Sequence, residues 1–168
     1  MTKAKTRPKS DPARRQAGAS PAAGNGVQLG YLDGLLGYAL RRAQLAVFQD
    51  FIVKMKGFEL RPAQFSILAI IQANPGLKQS RVSEALGINR ANFVALLDEL
   101  EKRKLARRAP SEGDRRSNAL YLTSQGEAFL NDALRHLRAQ HESRLDSILG
   151  TADKQRLLSL LGRLAALD

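Results

Sequence analysis

The sequence predicts a mainly α-helical fold with one small β-ribbon. Three observations carry this expectation. Apolar residues recur at helical spacing through most of the second and later thirds of the chain, Pro and Gly punctuate those runs, and one segment, 106–122, alternates in two-residue steps around a polar turn instead. The length of 168 residues suits one folded domain of ordinary size with appendages.

Taken in order, residues 1–30 read as a disordered basic tail. Six cations (Lys3, Lys5, Arg7, Lys9, Arg14, Arg15) face Asp11 alone, among three prolines and many small residues, too little apolar material for a core. A transit peptide would share the low acid content, but the prolines and the missing amphipathic pattern weaken that alternative. A long helix is expected from Tyr31 to about Lys56, closed by Gly57. The next starts with Pro62 in the first turn, where a missing N–H costs nothing, and stops before Asn74-Pro75-Gly76. Helices over 79–86 and 89–104 flank Gly87-Ile88, and 106–122 forms a two-stranded ribbon turning at Ser111-Glu112-Gly113-Asp114. Ser124 and Glu127 have capping-box spacing and open a helix running to Gly150. Thr151 caps the last one, ending at Leu167.

Composition excludes several chemistries. The chain has no Cys, which removes thiolate nucleophiles, disulfides and Cys-containing metal sites. The two histidines, His136 and His141, lie five apart and would point about 140° from each other on a helix, unsuited to joint metal ligation. No nucleophile elbow or usual phosphate loop occurs, and Gly24-Asn25-Gly26 with Gly30 has no strand before it, so an enzyme, a resident cofactor and a metal are not expected. No apolar run reaches the length of a membrane span, and no signal-peptide core follows Met1, so a cytoplasmic protein is expected. The net charge of +11 favours a polyanionic partner. Within 78–121 there are ten Lys or Arg against six acids, whereas 122–168 holds six of each. The basic excess of the folded part is therefore central.

That central segment has the spacing of a helix-turn-helix. Counting Gln79 as the first position, Val82, Leu86, Ile88, Phe93 and Leu96 fill the apolar positions that press the two helices together, Gly87 occupies the turn, and small Ser83 permits close approach. The second helix opens with Asn89, Arg90, Ala91 and Asn92, short amides and a guanidinium suited to base edges in a major groove. Lys78, Gln79 and Ser80 at the start of the first helix join the expected DNA contacts. The ribbon behaves as a wing: Arg107 and Arg108 lie on its first strand, and Asp114, Arg115, Arg116, Ser117 and Asn118 at its tip and return. Arginines on such a ribbon suit the narrow minor groove, with Asp114 holding one of them in a single rotamer. Each arginine taken singly is equally well a solvated surface charge.

The order of these features resembles the MarR family of winged helix-turn-helix regulators. The resemblance covers about residues 31–167 and rests on Arg61-Pro62-Ala63-Gln64-Phe65, Asn74-Pro75-Gly76-Leu77, Leu86 to Ala91, Leu96 to Glu101, Gly113 to Ser117 and Leu122-Thr123-Ser124-Gln125-Gly126. It implies a winged helix-turn-helix domain at about 58–123, with N- and C-terminal dimerisation helices at about 31–56 and 124–167. It further implies a homodimer on palindromic operator DNA that a small aromatic or phenolic effector releases. Arg61 stands where Thr or Ser is common, at the expense of a helix cap. The chain looks closest to regulators of aromatic-acid catabolism, whose effector is the free acid or its coenzyme A thioester.

Dimerisation has support in the residues. Leu130, Leu134, Leu137, Leu145, Ile148 and Leu149, with Leu157, Leu158, Leu160, Leu161, Leu164 and Leu167, exceed what one small winged core covers, unless a larger intramolecular core takes them all. In the first helix, Arg42 falls among Tyr31, Leu35, Tyr38 and Val53, and Arg41 among Leu45, Phe48 and Ile52. A guanidinium in apolar surroundings snorkels, pairs with a carboxylate of the protein, or awaits a ligand's anion. By the resemblance, the effector pocket draws on Tyr38, Arg41, Arg42, Phe48, Phe65 and Leu68, with Arg61, Lys54 and Lys56 available to thioester phosphates. The rival to an effector-controlled repressor is an architectural or protein-interaction winged helix with no effector. It would show little preference among DNA sequences.

Overall fold

The computed structural model describes residues 27–111 and 114–166. Most of the expected tail therefore lies outside the described residues. The chain divides into two units, Met1–Ala43 and Gln44–Asp168.

In the first unit a 3₁₀ turn, Gly30–Gly34, precedes α1 (Leu36–Lys54), whose later part belongs to the second unit. The helix starts later than Tyr31 because Gly30 takes φ +56 and Leu35 is extended, which interrupts the helical path. Tyr31 and Leu36 are exposed.

The second unit continues with a 3₁₀ turn (Lys56–Phe58), α2 (Pro62–Ala73), β1 (Leu77–Lys78), α3 (Gln79–Ala85), α4 (Arg90–Lys102), β2 (Ala106–Ser111), β3 (Asp114–Leu122), α5 (Ser124–Leu137), a π-helical turn (Arg138–Glu142) and α6 (Ser143–Leu164). The fold class is as expected, mostly helical with a small antiparallel sheet. The sheet has three strands in the order β1-β3-β2, one more than the expected ribbon. The Asn74-Pro75-Gly76 turn creates the extra strand. Gly76, at φ +84, donates its N–H to the Leu120 carbonyl at 2.9 Å and brings Leu77 opposite Leu120.

Ile67, Leu68 and Ile71 of α2, Val82 of α3, Phe93, Leu97 and Leu100 of α4, Leu120 of β3 and Leu130 of α5 form the main core. A second cluster joins Phe51 and Met55 of α1 to Ala133 and Leu137 of α5. Phe58 and Phe65 touch both clusters, and the Phe51 and Phe65 rings meet edge-on at 5.7 Å. Part of the leucine surplus is thus used inside the chain. On α6, Ile148, Leu157, Leu158 and Leu160 remain exposed.

Three further boundaries differ from expectation. Thr123, not Ser124, caps α5: its hydroxyl oxygen accepts from the Gly126 N–H at 2.9 Å while its own proton goes to the Lys104 carbonyl at 2.5 Å. The helix expected to run to Gly150 changes at Leu137 into the π-helical turn, which carries His141 into the interior beside Phe51, with Nδ1 2.7 Å from Asp50 Oδ2. Gly150 does break the helix, at φ 72 and ψ 161, and Lys154 beyond it binds Glu142 at 2.7 Å and Asp146 at 2.8 Å. The final helix stops at Leu164. Leu167 lies outside the described residues.

At the start of α2, Arg61 supplies no side-chain cap, but Gln64 Oε1 accepts from the Arg61 N–H at 3.1 Å. The Arg61 guanidinium pairs instead with Glu99 of α4, which also accepts from Gln64 Nε2 at 2.7 Å. The Arg61 hydrogen bond, aided by its charge, by Gln64 and by Lys102, outweighs desolvation and holds the Glu99 carboxyl below its usual range. Its contribution to stability is therefore complete above the ordinary glutamate value of ~4.3 and is lost as pH falls through the lowered one. A carboxyl NMR titration should show the Glu99 midpoint rising in Arg61→Ala.

Candidate nucleic-acid interface

The start of α4 is held in a form that leaves its side chains outward. Asn89 takes an extended backbone, and its Oδ1 accepts from the Asn92 N–H at 2.9 Å, so the side chain caps the helix with its oxygen and keeps its amide donors. Asn89, Arg90, Ala91 and Asn92 are all exposed. Behind them Phe93, Leu97 and Leu100 are fully buried, which fixes the rotation of the helix about its axis. Arg90 makes no ion pair among the described residues.

A hollow of about 430 Å³ brings the start of α3, the start of α4 and strand β3 together, lined by Lys78, Gln79, Ser80, Arg90, Phe93 and Asn118 among others. Five residues expected at DNA from three separate stretches of sequence thus share one surface. Lys78, Ser80 and Asn118 are exposed there, and Gln79 is half-buried. The ribbon separates its two arginines, since adjacent strand residues face opposite sides. Arg107 is exposed, its guanidinium 4.5 Å from the ring centre of its cross-strand neighbour Tyr121. Arg108 turns the other way, to Asp98 and Glu101 of α4 and to Gln79 of α3. Sequence reasoning missed those two acids, although their spacing of three on a helix ahead of an arginine pair was the available signal. The backbone of Asp114, Arg115, Arg116 and Ser117 forms the first part of β3, while their side chains lie outside the described residues.

Of the residues expected at an effector, the first unit half-buries Tyr38 and Arg42 and exposes Arg41. Within the second unit Phe48 is exposed, Phe65 packs on the core, Leu68 is fully buried in that core, and Arg61 is engaged by Glu99. Arg61 and Leu68 therefore have structural duties whatever else they do. Among the described residues no cluster of potential metal ligands occurs, and no helix is long and apolar enough to cross a membrane.

An outward-facing second helix, a first helix braced against it and an adjoining antiparallel ribbon define a winged helix-turn-helix DNA-binding protein. Residues 58–117 match the model of the MarR family. The chain belongs to the MarR family and is a DNA-binding transcriptional regulator. It is 32% identical over 140 residues to a putative transcriptional regulatory protein for the hcr operon of Thauera aromatica, covering 83% of this chain and 84% of that one. The transcriptional regulator PecS of Dickeya dadantii is 32% identical over 127 residues, 74% of this chain and 76% of the relative. Among solved structures, the transcriptional repressor CouR bound to a 23-mer DNA duplex superposes with a TM-score of 0.79 at 47% identity, over 83% of this chain and 98% of CouR. CouR bound to p-coumaroyl-CoA does so with a TM-score of 0.78 at 44% identity, over 84% and 99%.

Proposed function

We propose that this protein is a cytoplasmic repressor that acts as a homodimer on a palindromic operator and is released by an aromatic carboxylate or its coenzyme A thioester. The observation that carries the reading is the likeness to CouR, seen bound both to DNA and to p-coumaroyl-CoA, at 47% and 44% identity over nearly the whole of that chain. Asn89, Arg90, Ala91 and Asn92 read the major groove, Lys78 and Ser80 meet phosphate, and the wing from Asp114 to Asn118 enters the minor groove.

A dimer places two such surfaces about 34 Å apart, one helical turn of DNA, and multiplies the discrimination of one half-site. The exposed Ile148, Leu157, Leu158 and Leu160 of α6 support it, since a monomer leaving them in water would lose the stabilisation their burial provides. Arg41 and Arg42 are the proposed partners of the effector's anionic groups.

A tenfold loss of DNA affinity on effector binding requires about 1.4 kcal/mol of coupling, within reach of a few contacts. The test is a titration of the duplex-bound protein with p-coumarate, p-coumaroyl-CoA and coenzyme A alone, followed by fluorescence anisotropy. At least tenfold weakening by the acid or the thioester, and none by coenzyme A, is expected. Unchanged affinity with both aromatic compounds overturns the effector, and equal affinity for operator and random duplex would favour the architectural alternative.

A further inference from the structure

Arg108 stands where three elements meet. Its backbone N–H donates to Glu101 Oε1 at 2.7 Å, and its guanidinium binds the other oxygen of the same carboxylate. The same Nη1 reaches Asp98 Oδ1 at 2.7 Å, and Nε donates to Gln79 Oε1 at 3.1 Å. Glu101 and Asp98 share one face of α4, Gln79 is the first residue of α3, and Arg108 belongs to β2. One planar group therefore ties both helices of the helix-turn-helix to the base of the wing. The Arg108 side chain is only 22% exposed, so these bonds are screened less than those of a surface pair.

We propose that Arg108 is a positioning residue for DNA recognition: held by Asp98, Glu101 and Gln79, it sets the angle between the recognition helix and the wing and gives no cation to phosphate. The proposal rests on the sequence-specific DNA-binding reading above. Only residues 103–105 link α4 to β2, and Lys104 among them adopts φ 57. Such a link fixes the separation of helix and wing. Their mutual angle needs a second point of attachment, and a guanidinium fork has the rigidity that a lysine lacks. Both parts enter adjacent grooves of one duplex, so an error in that angle removes base contacts at one or the other. Because two carboxylates already neutralise it, Arg108 releases no counterions from DNA.

The test uses the full-length chain, a duplex that the wild type selects from a randomised library, and a random duplex of equal length, with Kd measured from low to moderate KCl. The wild-type ratio between the two duplexes reads sequence-specific binding, and each variant is compared with it. Arg108→Gln, Asp98→Asn and Glu101→Gln should each lose about tenfold or more on the selected duplex and less than about threefold on the random one. The salt slope should stay at the wild-type value. The two acid variants are the sharper arm. Removing a carboxylate from a DNA-binding domain strengthens binding by charge alone, so a loss on the selected duplex runs against the electrostatic sign. A merely structural role would shift the melting temperature and leave the ratio of the two affinities alone. Equal losses on both duplexes for Arg108→Gln, with a slope smaller by about one, identify a phosphate contact and overturn the proposal. Wild-type binding of both duplexes by Asp98→Asn and Glu101→Gln overturns it too.

Discussion

Replacing Gly126 with alanine is expected to cost the folded winged domain about 3 kcal/mol, the largest loss expected from an added Cβ at any of the described glycines. An ideal Cβ there would lie 1.8 Å from the Leu105 carbonyl oxygen and 2.7 Å from its carbon, both backbone atoms with no rotamer to escape into. Neither side is free to retreat. Leu105 donates its N–H to the Leu100 carbonyl at 2.9 Å and accepts from the Thr123 N–H at 3.2 Å, while the Gly126 N–H is held by the Thr123 hydroxyl. The glycine of the Leu-Thr-Ser-Gln-Gly stretch therefore lets α5 cross directly over the turn that leads out of α4. Urea unfolding of Gly126→Ala should give a much lower midpoint, with a fall in Tm of roughly 6–12 °C for a chain of this size. Gly57→Ala serves as the control. A Cβ there meets nothing within 4 Å, and the change should be neutral or slightly stabilising, because alanine narrows the freedom of the unfolded chain. An unchanged midpoint in Gly126→Ala would refute the close approach.

The largest functional loss from one exposed side chain is expected at Arg90. Its guanidinium begins α4 on the surface shared with Lys78, Ser80 and Asn118, and it has no carboxylate to hold it among the described residues. A bidentate contact from such a group to a guanine edge discriminates by about 1–3 kcal/mol, so Arg90→Ala should weaken operator binding by roughly 5- to 150-fold. Most of that loss should vanish on random duplex. Alanine at Arg115 or Arg116 should behave in the opposite way, with similar losses on both duplexes and a salt slope smaller by about one each. Fold integrity is not at issue, since Arg90 is exposed and Phe93 and Leu97 carry the packing of the helix. Binding curves on both duplexes at fixed salt decide the matter. Equal loss on the two for Arg90→Ala would make Arg90 a phosphate contact.

The helix-turn-helix was the most readable part of the chain because its constraints are local. Two helices joined by one tight turn demand Val82, Leu86, Ile88 and Phe93 at set offsets around Gly87, and Gly87 does adopt φ +59. Asn89 was legible as an exposed amide at the helix start, but its second duty as the cap needed only the spacing to Asn92. Less readable were features made by distant partners. Arg107 and Arg108 are the same residue type side by side, yet one lies over Tyr121 and the other binds Asp98 and Glu101. The reading of the ribbon as a wing assigns both to DNA, because nothing in the linear pattern separates them. Likewise Thr123 and Ser124 are both competent caps, and the Lys104 carbonyl, brought near by folding, settles the hydroxyl of Thr123.

Local chemistry written along the chain thus decides which segments coil, which one forms a ribbon, where prolines and glycines interrupt them, and that a cationic, outward-facing helix start exists at Asn89 to Asn92. These follow from short-range sterics and from burial of one face, both of which act over a few residues. Folding alone decides which cations are spoken for, such as Arg61 by Glu99 and Arg108 by Asp98 and Glu101, and which histidine is drawn inside beside Asp50. A polar contact forms through space between groups 38 or 91 positions apart, and no periodicity in a linear string encodes that proximity.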